Sequence, residues 1–335
     1  MNRTDEKYTR FALCREMLET PDVMRNFNAA AVEPLAEAVK DCTKLFMTGE
    51  GSSRIFPAKR AITEAMRGGQ SVPVTEGATQ ALEYQLDGYG ILGASNSGRT
   101  RELVRLFRAL REQGHTSLAG LCAHADTPLE AASDAYMVLG CGNEDAVAAT
   151  KSVAEQAMAW QALMATRNGE TLPAVEEGAA AVEAALTVDV PEEFSRSMAE
   201  ARTIFFTGRN DGVAEELTLK TNEIVRKTSD YLEGTYVAHG IEEIMREEDV
   251  IILVNPFPEE EEKIRQCIAE GVGAKVFAIA SRDTLFPTLK VPQAGPWQEY
   301  VLLAAGWNLL VEAGIAAGIN LDKPERARKV GNEID

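Results

Sequence analysis

Several things are scarce or missing in this sequence, and each absence narrows what the chain can be. It has three histidines and five cysteines, with no CxxC pair and no Cys/His zinc spacing. A structural zinc site or a histidine-rich metal centre is therefore not expected, and no metal site is assigned. The cysteine count is odd (Cys14, Cys42, Cys122, Cys141, Cys267), and the opening Met1-Asn2-Arg3-Thr4-Asp5-Glu6 is polar rather than a secretory signal. Free thiols in a reducing cytoplasm are the expectation. No uninterrupted run of about 18 apolar residues occurs, which argues against a membrane span. Basic charge is also short: 34 Lys and Arg stand against 52 Asp and Glu, a net charge of −18. Nucleic acid and anionic membranes want basic surfaces, so neither is an expected partner. Any anion site must be a local arrangement of donors opposing the overall field.

What is present suits a globular protein. A length of 335 residues with 45% hydrophobic content allows two domains, each with a core. The stretch Gly88 to Thr100 reads as a buried strand (Ile91, Leu92, Ala94), then a cluster of hydroxyls with a glycine, then an amphipathic helix with Leu103, Leu106, Phe107 and Leu110 at helical spacing. The first turn of a helix carries unpaired N–H groups and a positive dipole end, so it receives anions well. Ser95, Ser97 and Thr100 would add donors there, and Gly98 would let the backbone approach a ligand. A phosphate cradle is one reading; a helix N-cap with spare hydroxyls is the other.

Along the chain, helices are expected over 4–19, ended by Pro21, and over 29–41. A short strand at Leu45–Met47 is followed by the small-residue turn Thr48-Gly49-Glu50-Gly51-Ser52-Ser53, a helix over 54–67 and a strand-like Val72-Pro73-Val74. Strands at 117–122 and 136–139 and a long alanine-rich helix at 148–167 complete a first half. Such alternation implies a parallel sheet with helices on both faces. Past Gly169–Pro173, two polar helices bridge to about residue 201. A second half then echoes the first at an offset of roughly 160 residues: Thr203–Gly208 against Lys44–Gly49, Val250–Val254 against the strand before Ser95, Lys275–Ile279 against 117–121, and a helix at 297–318 against 148–167. The chain is thus expected to be α/β, a duplicated subdomain divided as 1–168 and 169–335. The echo fails after Val254, where Asn255-Pro256-Phe257-Pro258 leads into Glu259 to Glu262. Those carboxylates suit a helix start but would repel a phosphate, so only the first copy can hold an anion this way.

Two further segments carry possible chemistry. In Glu144-Asp145-Ala146-Val147-Ala148-Ala149-Thr150-Lys151-Ser152, backbone N–H groups at Val147 and Ala148 would be able to face a ligand; a Thr/Ser-capped helix start is the plainer reading. In Leu219-Lys220-Thr221-Asn222-Glu223-Ile224, Lys220 and Glu223 share a helix face, and Ala238-His239-Gly240 follows. A glutamate and a histidine near a phosphate site suit proton transfer at a sugar carbon and at a ring oxygen. The alternative is a surface ion pair and an ordinary loop histidine.

Taken in order, these segments resemble the SIS (sugar isomerase) family in its two-subdomain form. The chain is similar to the isomerase half of glucosamine-6-phosphate synthase and to stand-alone glucosamine-6-phosphate deaminases and fructosamine-6-phosphate deglycases. The resemblance runs from Glu16-Met17-Leu18-Glu19-Thr20-Pro21 to the C-terminus. Ser95-Asn96-Ser97-Gly98-Arg99-Thr100 matches the family's S-x-S-G-x-T sugar-phosphate loop, Gly51-Ser52-Ser53 its other phosphate-side turn, and Val147-Ala148-Ala149-Thr150-Lys151 its V-A-(S/A)-T-K loop, which contacts the sugar. Glu223 and His239 stand sixteen apart, as do the family's catalytic glutamate and ring-opening histidine. Asp322 to Val330 resembles the D-x-P-x-x-L-x-K-V tail, whose lysine (here Lys329) folds over the sugar.

The resemblance implies two SIS subdomains, each a flavodoxin-like three-layer αβα sheet. It implies an aldose–ketose isomerase or deaminase acting at carbons 1 and 2 of a sugar or amino-sugar 6-phosphate. Phosphate-side residues would be Ser52, Ser53, Ser95, Asn96, Ser97 and Thr100, with Val147 and Ala148 at the sugar. Glu223 would be the base, His239 would open the ring from across a dimer interface, and Lys220 and Lys329 would serve a developing oxyanion. No cofactor is implied. The expected partners are a small anionic sugar and a second copy, in a homodimer or dimer of dimers, with the long apolar helices supplying the interface. No glutaminase-like segment precedes the opening helix in this sequence, so ammonia from glutamine is not expected. A deglycase and a non-catalytic sugar-phosphate sensor remain the other readings. Departures from the family are Asn96 for a glutamine, Arg99 for a glutamate, and Ala238-His239-Gly240-Ile241 where (R/K)-H-G-P is common.

Overall fold

In the computed structural model, which describes residues 1–326 and 333–334, the chain forms two units, each around one parallel sheet. The first unit comprises residues 22–144 and 149–175 with the tail residues 333–334, and the second comprises 1–21, 145–148 and 176–326. The opening residues and the segment 145–148 thus pack with the second sheet, a grouping that sequence order does not reveal.

The first sheet contains β1 (Lys44–Gly49), β2 (Val74–Gly77), β3 (Tyr89–Ala94), β4 (Leu118–Cys122) and β5 (Ala135–Val138), in the order β2-β1-β3-β4-β5. The second contains β6 (Thr203–Gly208), β7 (Thr228–Glu233), β8 (Val250–Val254), β9 (Lys275–Ala280) and β10 (Thr288–Lys290), in the order β10-β9-β8-β6-β7. Read from the other edge, that is the same winding, the doubly wound flavodoxin-like order. The central strands are buried along nearly their whole length, as apolar runs covered by helices on both faces must be.

The principal helices are α1 (Ala12–Arg25), α2 (Ile55–Arg67), α3 (Arg101–Glu112), α4 (Lys151–Arg167), α5 (Val175–Thr187), α6 (Glu192–Glu200), α7 (Val213–Ile224) and α8 (Gln298–Ala316). Pro21 does not end the first helix: it lies inside α1, where it removes one backbone donor while the helix continues to Arg25. The segment expected as one helix over 29–41 is a 3₁₀ turn, Ala29–Val32, followed by a short helix, Glu33–Ala38. Lys151 to Met164 of α4 and most of α8 are buried. These helices therefore do not offer the exposed apolar surface that was expected to drive association. The segment 295–316 is long and apolar enough by composition to cross a membrane, although polar residues interrupt it, and 83% of an 18-residue window within it is buried inside the folded chain, as in a core helix. All five cysteines are unpaired, and burial pushes the Cys14 thiol up to about 12.

In a sheet of this winding the strand order reverses once, and the crevice beyond the carboxyl ends of the two strands there is the usual ligand position. It falls between β1 and β3 in the first unit and between β6 and β8 in the second. A glycine closes the first strand of each pair. A Cβ on Gly49 would stand 2.7 Å from the Ala94 carbonyl oxygen, and one on Gly208 would stand 2.9 Å from that of Val254. Only a bare backbone lets the two strand ends come so close.

Candidate functional site

In the first unit, the turn Glu50–Arg54 leaves β1 and the loop Ser95–Thr100 leaves β3. The two strands pair in register from Lys44 and Tyr89 to Thr48 and Gly93, so the loops emerge side by side. Thus Ser52, Ser53, Ser95, Asn96, Ser97 and Thr100 are brought to one crevice. The Ser95 hydroxyl is spent inside the loop: it is 1% exposed, lies 2.9 Å from Thr100 Oγ1 and accepts from Gly98 N at 3.0 Å. It shapes the cradle from within. Ser52, Ser53, Ser97 and Thr100 are half-buried.

The two readings of this loop separate here. Thr100 occupies the N-cap position of α3, yet no side chain caps that helix, because the Thr100 hydroxyl turns to Ser95 instead. The Thr100 hydroxyl therefore does not cap α3, and a helix start of this kind presents donors that suit an anion. Gly98 is required twice over. Its φ is +66°, and a Cβ there would lie 2.6 Å from Thr127 Oγ1. Thr127 comes from the loop after β4, which also ties to the cradle through Ala123 N donating to Asn96 O (3.0 Å). The tail returns as well: Glu333 bridges to Thr100, and Ile334 N donates to Arg99 O at 2.9 Å. Lys329 lies outside the described residues. Within the turn, burial pushes the Glu50 carboxyl up, partly offset by the hydrogen bond it accepts from Ala78 N.

In the second unit the corresponding loop is tied down by arginines. Asn255 N continues the ladder to Ile279 O as Ser95 N does to Leu121 O, but the chain then turns through Pro256 and Phe257. Arg209 donates to the Asn255 carbonyl and stacks its guanidinium 4.2 Å from the Phe257 ring centre. Arg282 donates to Pro256 O and pairs with Glu261 at 2.6 Å. Arginines, a ring and acidic residues stand where the first unit has hydroxyls.

The chemistry-bearing side chains of the second unit sit on α7. Lys220 is fully buried and holds two carboxylates, Glu223 Oε2 at 2.8 Å and Glu216 Oε1 at 3.4 Å. Residues four before and three after Lys220 share its face, so one helix builds the cluster alone. Glu216 is 0% exposed, whereas the Glu223 side chain is 25% exposed. The pair read as possibly a surface ion pair is thus a buried lysine between two acids, with one acid reaching the edge. Glu216 was missed from the sequence, although its spacing from Lys220 is the signal that would have found it.

His239 does not join this cluster within the unit. It follows β7 beyond the carboxyl edge of the sheet, is exposed, and lies 3.3 Å from Lys263 Nζ through its Nε2. α7 runs back against the strands, so Glu223, its penultimate residue, lies toward the opposite edge. Twelve residues of helix span roughly 18 Å.

Val147 and Ala148 also pack with the second unit. Their loop is held by Glu16, a buried carboxylate that accepts from Asp145 N and Ala146 N. The next two N–H groups, of Val147 and Ala148, have no hydrogen-bond partner among the described residues, which fits the donor role expected of them. Glu16 too drew no role from the sequence; its partners lie about 130 positions away and leave no local signal.

No family model matches the chain. Over 212 residues, 58% of its length, it is 25% identical to the glutamine–fructose-6-phosphate aminotransferase (isomerizing) of Haemophilus influenzae, and it spans about a third (35%) of that protein. Its structure is similar to the C-terminal domain of glucosamine-fructose-6-phosphate aminotransferase from Francisella tularensis, with a TM-score of 0.79 and 18% identity over 94% of this chain and 98% of that one. It is equally similar to tagatose-6-phosphate ketose/aldose isomerase from Escherichia coli, with a TM-score of 0.79 and 17% identity over 96% and 97%. At such identities the likeness is one of fold. The chain has the duplicated two-subdomain fold of the SIS proteins.

Proposed function

We propose that this chain, built on the two-subdomain SIS fold, is a phosphosugar aldose–ketose isomerase, with deamination of an amino-sugar phosphate as the close variant. The observation that carries the reading is the buried Glu216–Lys220–Glu223 cluster. A binding protein has no use for a desolvated lysine facing a fully buried acid, since burying such charges is costly and packing would serve as well. A base at the edge of such a cluster suits proton transfer at carbon.

The phosphate would rest on Ser52, Ser53, Ser97, Thr100 and the first turn of α3, fixing the far end of an open-chain sugar. Glu223 would take the proton from carbon 1 and return it to carbon 2 through an enediol or enamine, with Lys220 steadying its charge. The Val147 and Ala148 N–H groups would bind the sugar oxygens, and Lys329 would complete the site from the tail. His239 would protonate the ring oxygen of a second copy's substrate. In support, His239 is exposed and remote from its own Glu223, and the neighbouring Tyr236 and Ile244 are 51% and 58% exposed. A homodimer is therefore part of the proposal. A deglycase acting on a fructosamine 6-phosphate uses the same proton chemistry and differs in what leaves.

The test is a substrate panel of fructose 6-phosphate, glucosamine 6-phosphate, a fructosamine 6-phosphate and a carbon-6 sulfonate analogue, followed for ketose–aldose conversion, ammonia and free amino acid. Conversion of a 6-phosphate that Glu223→Gln abolishes is the expected result. Tight binding of a phosphosugar without turnover of any member would favour the sensor reading.

A further inference from the structure

Glu144 stands just before the Val147–Ala148 loop and has no part in the chemistry above. It is 7% exposed and belongs to the first unit. Its Oε1 accepts from Thr150 N at 2.7 Å, Thr150 Oγ1 at 3.3 Å and Ser152 N at 3.5 Å, all at the start of α4. Its Oε2 accepts from the Ser152 hydroxyl and from Asn96 Nδ2 at 3.1 Å. It is a buried carboxylate that accepts from every one of these groups, and one of them belongs to the anion loop.

The consequence falls on Asn96. A side-chain amide has a donating and an accepting end, and a carboxylate takes only the donating one. With Nδ2 drawn to Glu144, the Oδ1 end faces away, and it has no hydrogen-bond partner among the described residues. The main chain at Asn96 is already fixed, its carbonyl accepting from Ala123 N. What the side chain offers at this position is therefore an acceptor, next in sequence to the half-buried Ser97 hydroxyl. An acceptor repels phosphate oxygens and welcomes a hydroxyl or an amine.

We propose that Glu144 is a positioning residue that sets the hydrogen-bond polarity of the anion loop: it locks the Asn96 amide so that its carbonyl accepts a sugar hydroxyl beside the phosphate. The proposal rests on the phosphosugar reading and narrows the ligand class to monophosphates with a hydroxyl on carbon 4 or 5. It also reassigns Asn96 from the phosphate to the sugar.

Glu144→Gln is a pointed test because it keeps the shape and inverts the polarity. The glutamine carbonyl can still accept from Thr150 N, while its NH2 now meets Asn96 and turns the Asn96 carbonyl inward. Binding of inorganic phosphate, fructose 6-phosphate and its 4-deoxy and 5-deoxy analogues would be measured by calorimetry for wild type and variant. The expected result is that wild type prefers fructose 6-phosphate over one deoxy analogue by about tenfold, as for a hydrogen bond made in a desolvated site. In the variant that preference should vanish while phosphate affinity stays within about threefold. Equal loss for phosphate and sugars, or an unchanged preference, would overturn the proposal and leave the phosphosugar reading standing. A wild type that binds neither phosphate nor any phosphosugar would overturn both.

Should the variant fold poorly, wild type supplies its own readout. The Asn96 side-chain amide signals, assigned by their loss in Asn96→Ala, should show one proton shifted downfield and slow to exchange, as expected for a hydrogen bond to a carboxylate. Two protons at ordinary free-amide positions would overturn the lock.

Discussion

The two units share a winding and a switch point, yet they place different things there. In the first, the loop after β3 carries three hydroxyls, Asn96, Arg99 and one left-handed glycine, and the N-cap hydroxyl does not cap the following helix. In the second, the loop after β8 closes on itself through Arg209, Phe257 and Arg282. The first helix of each copy shows the reverse bias. Each of these helices carries one buried cation, Lys220 on α7 and Arg60 on α2. Arg60 pairs with Glu64 at 2.8 Å, a partner whose side chain is 42% exposed, whereas Lys220 holds Glu216, which is fully buried. The two copies thus carry different side chains at matching places, hydroxyls after β3 in the first and buried charge on α7 in the second. The scaffold itself demands neither.

That division of labour can be broken at several points. The largest effect is expected at Glu223, where Glu223→Gln should cut kcat by about 10²–10⁴ in steady-state assays, with phosphosugar affinity little changed. Next comes the paired test of buried charge. Lys220→Met strands Glu216 without its cation and should cost about 3–5 kcal/mol in denaturant unfolding. Arg60→Met, whose acid partner reaches solvent, should cost clearly less. Equal costs would mean that the α7 cluster is no more buried in its energetics than its twin.

Gly98→Ala forces a Cβ onto Thr127 at a φ of +66° and should weaken phosphate binding by about tenfold or more. Phe257→Ala, at the matching place in the second unit, should leave phosphate affinity within twofold by calorimetry. Smallest is a pH effect. Burial raises the Glu155 carboxyl, against hydrogen bonds from Gly140 N (2.8 Å) and Cys141 N (2.7 Å) that pull it down. The folded form then holds its proton more tightly than the unfolded chain, so this residue's contribution is most favourable below the ordinary glutamate range. It declines as pH rises through the raised value. Glu155→Gln should flatten the fall in Tm above about pH 4.5, by a few degrees at most.

What the sequence revealed, and what it hid, follows from how local each feature is. β1, β3, β4, β6, β8 and β9 were legible because a strand buried on both faces must be a continuous apolar run. Of the edge strands β5 was also legible, whereas β7 and β10 were not and β2 was only in part. β7 reads Thr228-Ser229-Asp230-Tyr231-Leu232-Glu233 with only Leu232 buried, and β2 begins at Val74, later than the strand-like segment suggested. The hydroxyl loop was legible as a candidate, but not the hydrogen bond between Thr100 and Ser95 that takes the Thr100 hydroxyl away from the helix start. Lys220 and Glu223 were legible as neighbours on a helix. Their burial was not, since it depends on α7 packing closely on α8, with Leu217 where a Cβ on Gly306 would be. Glu16 and Glu144 were quoted in motifs without a role because their partners are far along the chain. Pro21 misled because a helix in a packed setting tolerates one missing donor.

The central claim, proton transfer between carbons 1 and 2 of a sugar 6-phosphate by Glu223, is tested most directly by NMR in heavy water. Wild-type protein incubated with fructose 6-phosphate or glucosamine 6-phosphate should place solvent deuterium at carbon 1 or carbon 2, and Glu223→Gln should not. Phosphosugar bound by wild type without any exchange at either carbon, or exchange undiminished in Glu223→Gln, would contradict the account.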